Sequence, residues 1–175
     1  TLIEKIKKNY FSINRWKNTK ILIIDEISML NPDIFDKLYL ISQNIRDNKK
    51  SFGGIQIILS GDFCQLPVVK SAKFCFESKY WNQSMHRTVV LEEILRQDDN
   101  EFQEMLNEIR LGKCSISTEE LIRSRMGVEL EVEGIKPTKI YSKNMDVNKI
   151  NHEKIMELIE NGNKHKTYYS SVSHD

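Results

Sequence analysis

The sequence predicts an α/β fold, a parallel sheet flanked by helices, and three observations carry that prediction. Ile21 to Ile24 and Ile55 to Leu59 are short, largely branched apolar runs, the pattern of strands covered on both faces. The first run is followed by a stretch of helical period, which makes a strand-to-helix unit. Both runs end in polar exits, Asp25-Glu26 and Ser60-Gly61-Asp62. In open α/β sheets ligands bind at the carboxyl ends of the strands, so two adjacent carboxylates there are placed for chemistry rather than for solubility.

Taken in order, Leu2, Ile3, Ile6 and Tyr10 recur at helical spacing among lysines, which predicts an amphipathic helix with a solvated basic face. Asn14 to Lys20 reads as a polar connector, with Trp16 a packing residue. After the acids, Asn31-Pro32-Asp33 supplies a capping side chain, a first-turn proline and a charge that suits the positive helix end. A helix to about Arg46 follows, with Ile34, Leu38, Ile41 and Ile45 on one face. Asp47 to Gly54 is a loop, Ile55 to Leu59 the second strand, Phe74 to Trp81 a small covering helix and Thr88 to Leu91 a third strand. Asp98 to Gly112 reads as a helix turning Phe102, Met105, Leu106 and Ile109 to a core. Ser117 and Glu120 have capping-box spacing and start a short helix. Val128 to Gly134 alternates like a small hairpin or edge strand. Thr138 to Tyr141 reads as a strand, and Asn144 to Asn161 as a helix carrying Val147, Ile150, Ile155, Leu158 and Ile159. The tail from Asn163 is polar and aromatic without period.

Composition excludes more than it selects. At 175 residues the chain fits one domain, or one and a fragment. Twenty-six basic against twenty-five acidic residues give no global nucleic-acid signal. Cys64, Cys75 and Cys114 are scattered without metal-ligand spacing, so reduced thiols in an intracellular protein are expected. No apolar run approaches the roughly 18 to 20 residues that span a bilayer, and no membrane association is expected. The chain opens at Thr1, directly in helical pattern, so residues upstream are expected to be missing from it.

Ile-Leu-Ile-Ile-Asp-Glu is the pattern of a Walker B segment. In P-loop NTPases the aspartate at this position helps hold Mg²⁺, and a following glutamate polarises the water that attacks the γ-phosphate. Alone, the same pattern also describes a buried strand that ends in surface charges. The second exit repeats the geometry and adds Gln65, whose amide offers a donor and an acceptor together and so can meet a phosphate oxygen and a water. Singly, Gln65 also reads as a loop residue capping backbone groups, and Gly61-Asp62 as a turn.

Asp25-Glu26-Ile27-Ser28-Met29, Gly53-Gly54-Ile55-Gln56, Gly61-Asp62-Phe63-Cys64-Gln65-Leu66-Pro67 and Leu95-Arg96-Gln97 stand in series. Together they closely resemble the petite-integration-frequency (PIF) family of ATP-dependent DNA helicases, relatives of the RecD group in helicase superfamily one. Further matches at Phe102 to Gly112 and at Val147, Ile150 and Asn151 extend the resemblance over nearly the whole chain. It implies that Asp25 binds Mg²⁺, Glu26 positions or activates the water, and Gln65 senses the γ-phosphate of ATP. Arg96 would reach the same phosphate as an arginine-finger-like group; its plain alternative is a helix-start salt bridge. Pro67 would lie beside single-stranded DNA, with Asn151 a weaker DNA contact. The partners implied are single-stranded DNA and duplex junctions, and the implied motor is a monomer moving 5′ to 3′ in DNA repair, recombination or telomere maintenance. Its place would be the nucleus or mitochondrion of a eukaryote, or a viral replication site.

Two departures qualify the resemblance. The family usually has two successive prolines where Pro67 is followed by Val68, so a less rigid loop is expected. No Gly-x-x-x-x-Gly-Lys-[Ser/Thr] occurs in the 175 residues, and the phosphates therefore lack their glycine-rich cradle and lysine here. The resemblance thus implies a partial RecA-like P-loop NTPase fold without the Walker A strand, loop and helix. Residues 1–114 would be the later part of the first RecA-like domain, 115–136 a small wedge segment, and 137–175 the start of the second RecA-like domain. The expected function is that of an ATP-dependent DNA helicase fragment, inactive alone. The alternatives are a non-enzymatic remnant that binds single strands or a partner fragment, and a different P-loop ATPase using the same acid pair.

Overall fold

The computed structural model describes residues 1–128 and 137–168. The chain divides into two compact units, Thr1–Arg123 and Ser124–Asp175.

In the first unit the opening helical pattern is split. Helix α1 is Leu2–Lys8 and α2 is Tyr10–Asn18, with Asn9 ending one and capping the other through its side chain, which accepts from the Ser12 amide at 2.9 Å. The expected connector from Asn14 is therefore mostly helix, because a short polar side chain at Asn9 restarts the backbone ladder. Strand β1 is Ile21–Ile24 and β2 is Gln56–Leu59; they pair in parallel with Ile21 opposite Gln56 and Ile24 opposite Leu59. Between them runs α3, Pro32–Arg46, begun by Asn31 as expected: its side chain accepts from the Asp33 amide at 2.8 Å.

The core lies on one face of this sheet. Leu22, Ile24, Ile57 and Leu59 pack on a cluster of Ile27, Phe35, Tyr39, Phe52, Ile55 and Cys75. The buried face of α3 is set by Phe35 and Tyr39 together with Ile41 and Ile45, whereas Ile34 is exposed. Aromatic rings supply much of the contact: Phe35 meets Phe52 edge-on at 5.2 Å, and Tyr39 stacks on Tyr80 at 4.1 Å. Such pairs add directional preference to the area they bury. The expected covering segment is a one-turn 3₁₀ helix at Cys75–Glu77 and a short helix α4, Trp81–Ser84. Burial pushes the Cys75 thiol up to about 11, and Cys64, Cys75 and Cys114 are all free thiols.

The side chain of Arg46 ties the layer together. Its Nε donates to the Gly53 carbonyl at 2.7 Å, and its Nη1 lies within 3.0 Å of the carbonyl oxygens of Trp16, Lys17 and Thr19. These are the orphan carbonyls at the end of α2, which have no partner within their own helix. One guanidinium thus joins α2, α3 and the loop before β2.

The opposite face of the sheet is uncovered: Ile21, Ile23 and Ile58 are 51%, 66% and 43% exposed. The expectation of strands covered on both faces fails for that reason, since the described residues supply a layer to one side alone. Thr88 to Leu91 is likewise no strand; Val89, Val90 and Leu91 are exposed and pair with no neighbouring backbone among the described residues. A strand exists through its partner, and apolar residues without one remain extended coil.

Helix α5, Asn100–Arg110, starts at Asp99, whose side chain accepts from the Phe102 amide at 3.1 Å. It buries no residue fully: Phe102 and Met105 are half-buried, and Leu106 and Ile109 are exposed, contrary to the expected core face. Helix α6, Ile116–Ser124, is capped by Ser115 rather than Ser117, because the Ser115 hydroxyl accepts from the Thr118 amide. Glu108 fixes the corner between these helices, accepting from the Ser115 amide at 2.9 Å and from the Thr118 hydroxyl at 2.6 Å. Those donors hold its carboxyl below the usual range.

In the second unit, α7 is Asn144–Glu160, with Val147, Ile150 and Ile159 half-buried and Ile155 and Leu158 exposed. Thr138 to Tyr141 is not a strand, and Ile140 is 94% exposed. Of the predicted hairpin, 129–136 lie outside the described residues. No helix among the described residues is long and apolar enough to cross a membrane.

Candidate functional site at the strand exits

Asp25 and Glu26 follow β1 directly, and Ser60 follows β2. Parallel pairing in register brings these exits to one edge of the sheet. Backbone bonds then lace them together: the Ser60 amide donates to the Ile24 carbonyl and the Ile27 amide to the Ser60 carbonyl, both at 3.0 Å. A side chain adds a third tie, since the Ser60 hydroxyl donates to Asp25 Oδ1 at 2.6 Å. Asp25 Oδ1 also accepts from the Glu26 amide at 2.9 Å. With the Ser60 hydroxyl as the larger cause, these donors hold the Asp25 carboxyl below its ordinary value, so it is a carboxylate at neutral pH.

Glu26 is bent out of the strand by its backbone. Its φ of 51° and ψ of 47° are left-handed, a conformation that costs a residue with a Cβ about 1–2 kcal/mol. Strain of this kind, held by the surrounding structure, gathers at functional positions. Directly behind it, Ile27 and Ser28 are buried at 3% and 1%, so the exposed acid sits on a fixed base.

Gly61 makes the close approach of the two exits possible. Its φ is 149°, and a Cβ there would lie 2.8 Å from the Ile27 nitrogen and 3.1 Å from its Cγ2. Beyond it, Asp62 closes a turn, as a plain turn reading anticipates: Oδ1 accepts from the Cys64 amide at 3.0 Å, and the Asp62 carbonyl accepts from the Gln65 amide at 3.0 Å. The Gln65 side chain is exposed, and its Nε2 donates to Asp62 Oδ2 at 3.2 Å. Arg110, the last residue of α5, clasps the same carboxylate with two donors, Nε to Oδ2 at 2.6 Å and Nη2 to Oδ1 at 3.1 Å. That guanidinium is the main reason the Asp62 carboxyl lies far below the usual range.

Among the predicted residues, Asp25, Glu26 and Gln65 thus stand on two interlocked exits. Pro67 follows in the same loop, between exposed Leu66 and Val68, which is 6% exposed. The valine that replaces the expected second proline is thus a buried anchor for this loop. Arg96 is exposed, in no helix or strand, and no hydrogen bond or ion pair among the described residues engages it; the helix-start salt bridge, the plain alternative to the phosphate-reaching role, is not formed there. Asn151 is an exposed residue of α7, in the second unit. No group of three or more metal-ligating side chains occurs among the described residues.

Sequence reasoning missed Ser60 and Arg110. The signal for Ser60 was available, since a hydroxyl begins the exit that pairs with Asp25. For Arg110, forty-eight residues from Asp62 along the chain, spacing carries no signal.

Comparison with known proteins places this geometry in a family. The sequence profile of the PIF1-like helicases matches residues 1–120. The ATP-dependent DNA helicase PIF1 of Emericella nidulans is 51% identical over 122 residues, which is 67% of this chain and 16% of that protein. The crystal structure of the Pif1 helicase from Candida albicans superimposes with a TM-score of 0.84 at 40% identity, over 89% of this chain and 36% of that one. The Bacteroides Pif1 helicase in complex with ADP-AlF3 and single-stranded DNA gives a TM-score of 0.76 at 28% identity, over 85% of this chain and 38% of its own. The chain therefore spans well under half the length of the relatives it matches. With the profile covering more than two thirds of its residues, it belongs to the family of PIF1-like helicases.

Proposed function

We propose that this chain carries the hydrolytic half of the nucleotide site of an ATP-dependent DNA helicase, which moves 5′ to 3′ on single-stranded DNA. The observation that carries the proposal is the lacing of two strand exits at the carboxyl edge of a parallel pair, with Asp25 and Glu26 on one and Gln65 on the other. Its fold is read as part of a RecA-like P-loop domain. The uncovered sheet face at Ile21, Ile23 and Ile58 fits a chain that is one portion of a longer domain. Residues 1–114 are assigned to the first RecA-like domain, 115–136 to a wedge segment and 137–175 to the second RecA-like domain.

Asp25 suits a magnesium ion bound with ATP. Mg²⁺ takes one or two carboxylates and fills its remaining positions with water and phosphate oxygens, and Asp25 is an ionised carboxylate whose Oδ1 is oriented by Ser60. When bound, the ion supplies charge neutralisation at the phosphates. Glu26, exposed beside it, accepts the proton of the attacking water or orients that water. Gln65 faces the γ-phosphate. Arg96, free of a protein partner among the described residues, is available to stabilise the charge that develops during transfer. Pro67 is assigned a place beside single-stranded DNA, Asn151 is separately a weaker candidate for a DNA contact, and junctions with duplex are the structures the motor opens.

The test is ATP hydrolysis and unwinding by the intact protein on duplexes with a 5′ or a 3′ single-stranded tail. DNA-stimulated turnover with unwinding from the 5′ tail is expected. The 175 residues alone, which contain no P-loop lysine, are expected to show neither MgATP binding by calorimetry nor phosphate release. Turnover by these residues alone would contradict the assignment of half a site to them.

A further inference from the structure

We propose that Arg110 is a positioning residue for Gln65 and acts through Asp62. An ionised carboxylate has about four acceptor sites and no proton to donate. At Asp62 four donors meet it: the Cys64 amide and Arg110 Nη2 at Oδ1, Gln65 Nε2 and Arg110 Nε at Oδ2. Because Asp62 only accepts, chemistry fixes which end of the Gln65 amide faces it. The NH₂ turns inward to the carboxylate, and Oε1 is left to the outside as an acceptor.

Arg110 thereby sets where Gln65 presents its oxygen. Without the guanidinium, Asp62 would keep the Cys64 and Gln65 donors but lose the planar fork that fixes its plane. A fork of this kind is specific to arginine; a lysine ammonium offers a point charge and no bidentate geometry. The contact also reaches beyond the loop. Arg110 ends α5, and Glu108 in the same turn binds the start of α6 through Ser115 and Thr118. A shift of the α5–α6 corner would therefore be delivered to Gln65 through one ion pair.

This inference rests on the reading of Gln65 as a residue that faces the γ-phosphate, and the experiment separates the two. In the intact protein, kcat at saturating single-stranded DNA, KM for ATP and thermal melting are measured for Gln65→Ala, Arg110→Ala, Arg110→Lys and the double variant Gln65→Ala/Arg110→Ala. Arg110→Ala is expected to lower kcat by up to about 10²-fold, the scale of a reacting group misplaced by about 1 Å. KM for ATP should stay within about 2-fold, as when an interaction made in the transition state is lost. Arg110→Lys should fall between wild type and Arg110→Ala. The double variant should be no slower than Gln65→Ala, since both changes remove one coupled unit. Should Arg110→Ala fail to fold, Arg110→Lys takes its place in the same cycle. A folded Arg110 variant with undiminished kcat beside an impaired Gln65→Ala overturns the positioning role alone, and so does an additive double variant. An undiminished Gln65→Ala overturns the role of Gln65, and the proposal for Arg110 falls with it.

Discussion

The strand-exit loops and the segment that carries Arg96 are built to opposite standards. At the exits, Asp25, Ser60, Asp62 and Gln65 are tied by side-chain hydrogen bonds, Gly61 admits a backbone contact, and Ile27, Ser28 and Val68 are buried beneath them. Arg96 lies between exposed Leu95, at 82%, and Gln97, whose carbonyl accepts from the Gln103 side chain. Among the described residues no comparable ties reach Arg96 itself. The difference teaches where orientation is supplied. On the proposed reading, Asp25 and Gln65 are preorganised by the chain's own bonds, whereas the ordering of Arg96 would have to come with the nucleotide.

The contrast breaks most sharply at Arg96. In the intact protein Arg96→Ala should lower ATP turnover by about 10³ to 10⁵, the scale of an arginine finger. Its melting temperature should be unchanged, because no partner is lost among the described residues. A large fall in stability with little effect on rate would show Arg96 to be a structural residue.

Phe35→Ala should do the reverse and destabilise the first unit by about 3–5 kcal/mol, the usual cost of emptying a buried phenylalanine site. Phe35 is 0% exposed and touches Phe52 and Trp81. Denaturant unfolding measures the loss, and a change below about 1 kcal/mol would contradict the assignment of Phe35 to the core.

Gly61→Ala should cost less in stability, about 1–2 kcal/mol of backbone strain, but it pushes a methyl at the Ile27 backbone and so should move Asp25 and Glu26. A normal rate in a stably folded Gly61→Ala variant would show that the exits need not touch.

The smallest effect is a pH dependence. Asp62 has a lowered folded-state value, so its stabilisation is complete above the unfolded value of about 4. It is lost as pH falls through the folded value. Stability from this group is therefore flat between pH 7 and about 5 and declines in acid. Removing the guanidinium with Arg110→Ala should flatten that acid decline in melting curves; an unchanged acid limb would mean that Arg110 does not set the Asp62 charge.

The legible parts of the fold were those with local causes. Asn31-Pro32 announced α3, the stretch read as a helix from Asp98 to Gly112 contains α5, and branched runs marked β1 and β2. The errors have nonlocal causes. Branched residues at 88–91 and 138–141 read as strands because propensity is written in sequence, while the partner that makes a strand is not. The exposed face of Ile21 and Ile23 has the same origin: the run is suited to two covering layers, and one is present among the described residues. The placement of Asp25 and Glu26 at the exit of β1, and of Gln65 in the exit loop of β2, was legible from strand position, whereas the roles proposed for them came from the resemblance. Ser60 was legible but overlooked, and Arg110 was invisible because its partner comes from a distant loop.

The central claim is that the two acids after β1 are the hydrolytic half of a nucleotide site, and Glu26→Gln tests it most directly. The substitution is nearly isosteric and leaves Asp25, Ser60 and the left-handed backbone in place. In the intact protein, calorimetry should show ATP binding retained while phosphate release at saturating single-stranded DNA falls by about 10² to 10⁴, the usual contribution of a general base. Hydrolysis at the wild-type rate would remove Glu26 from the mechanism and contradict the account.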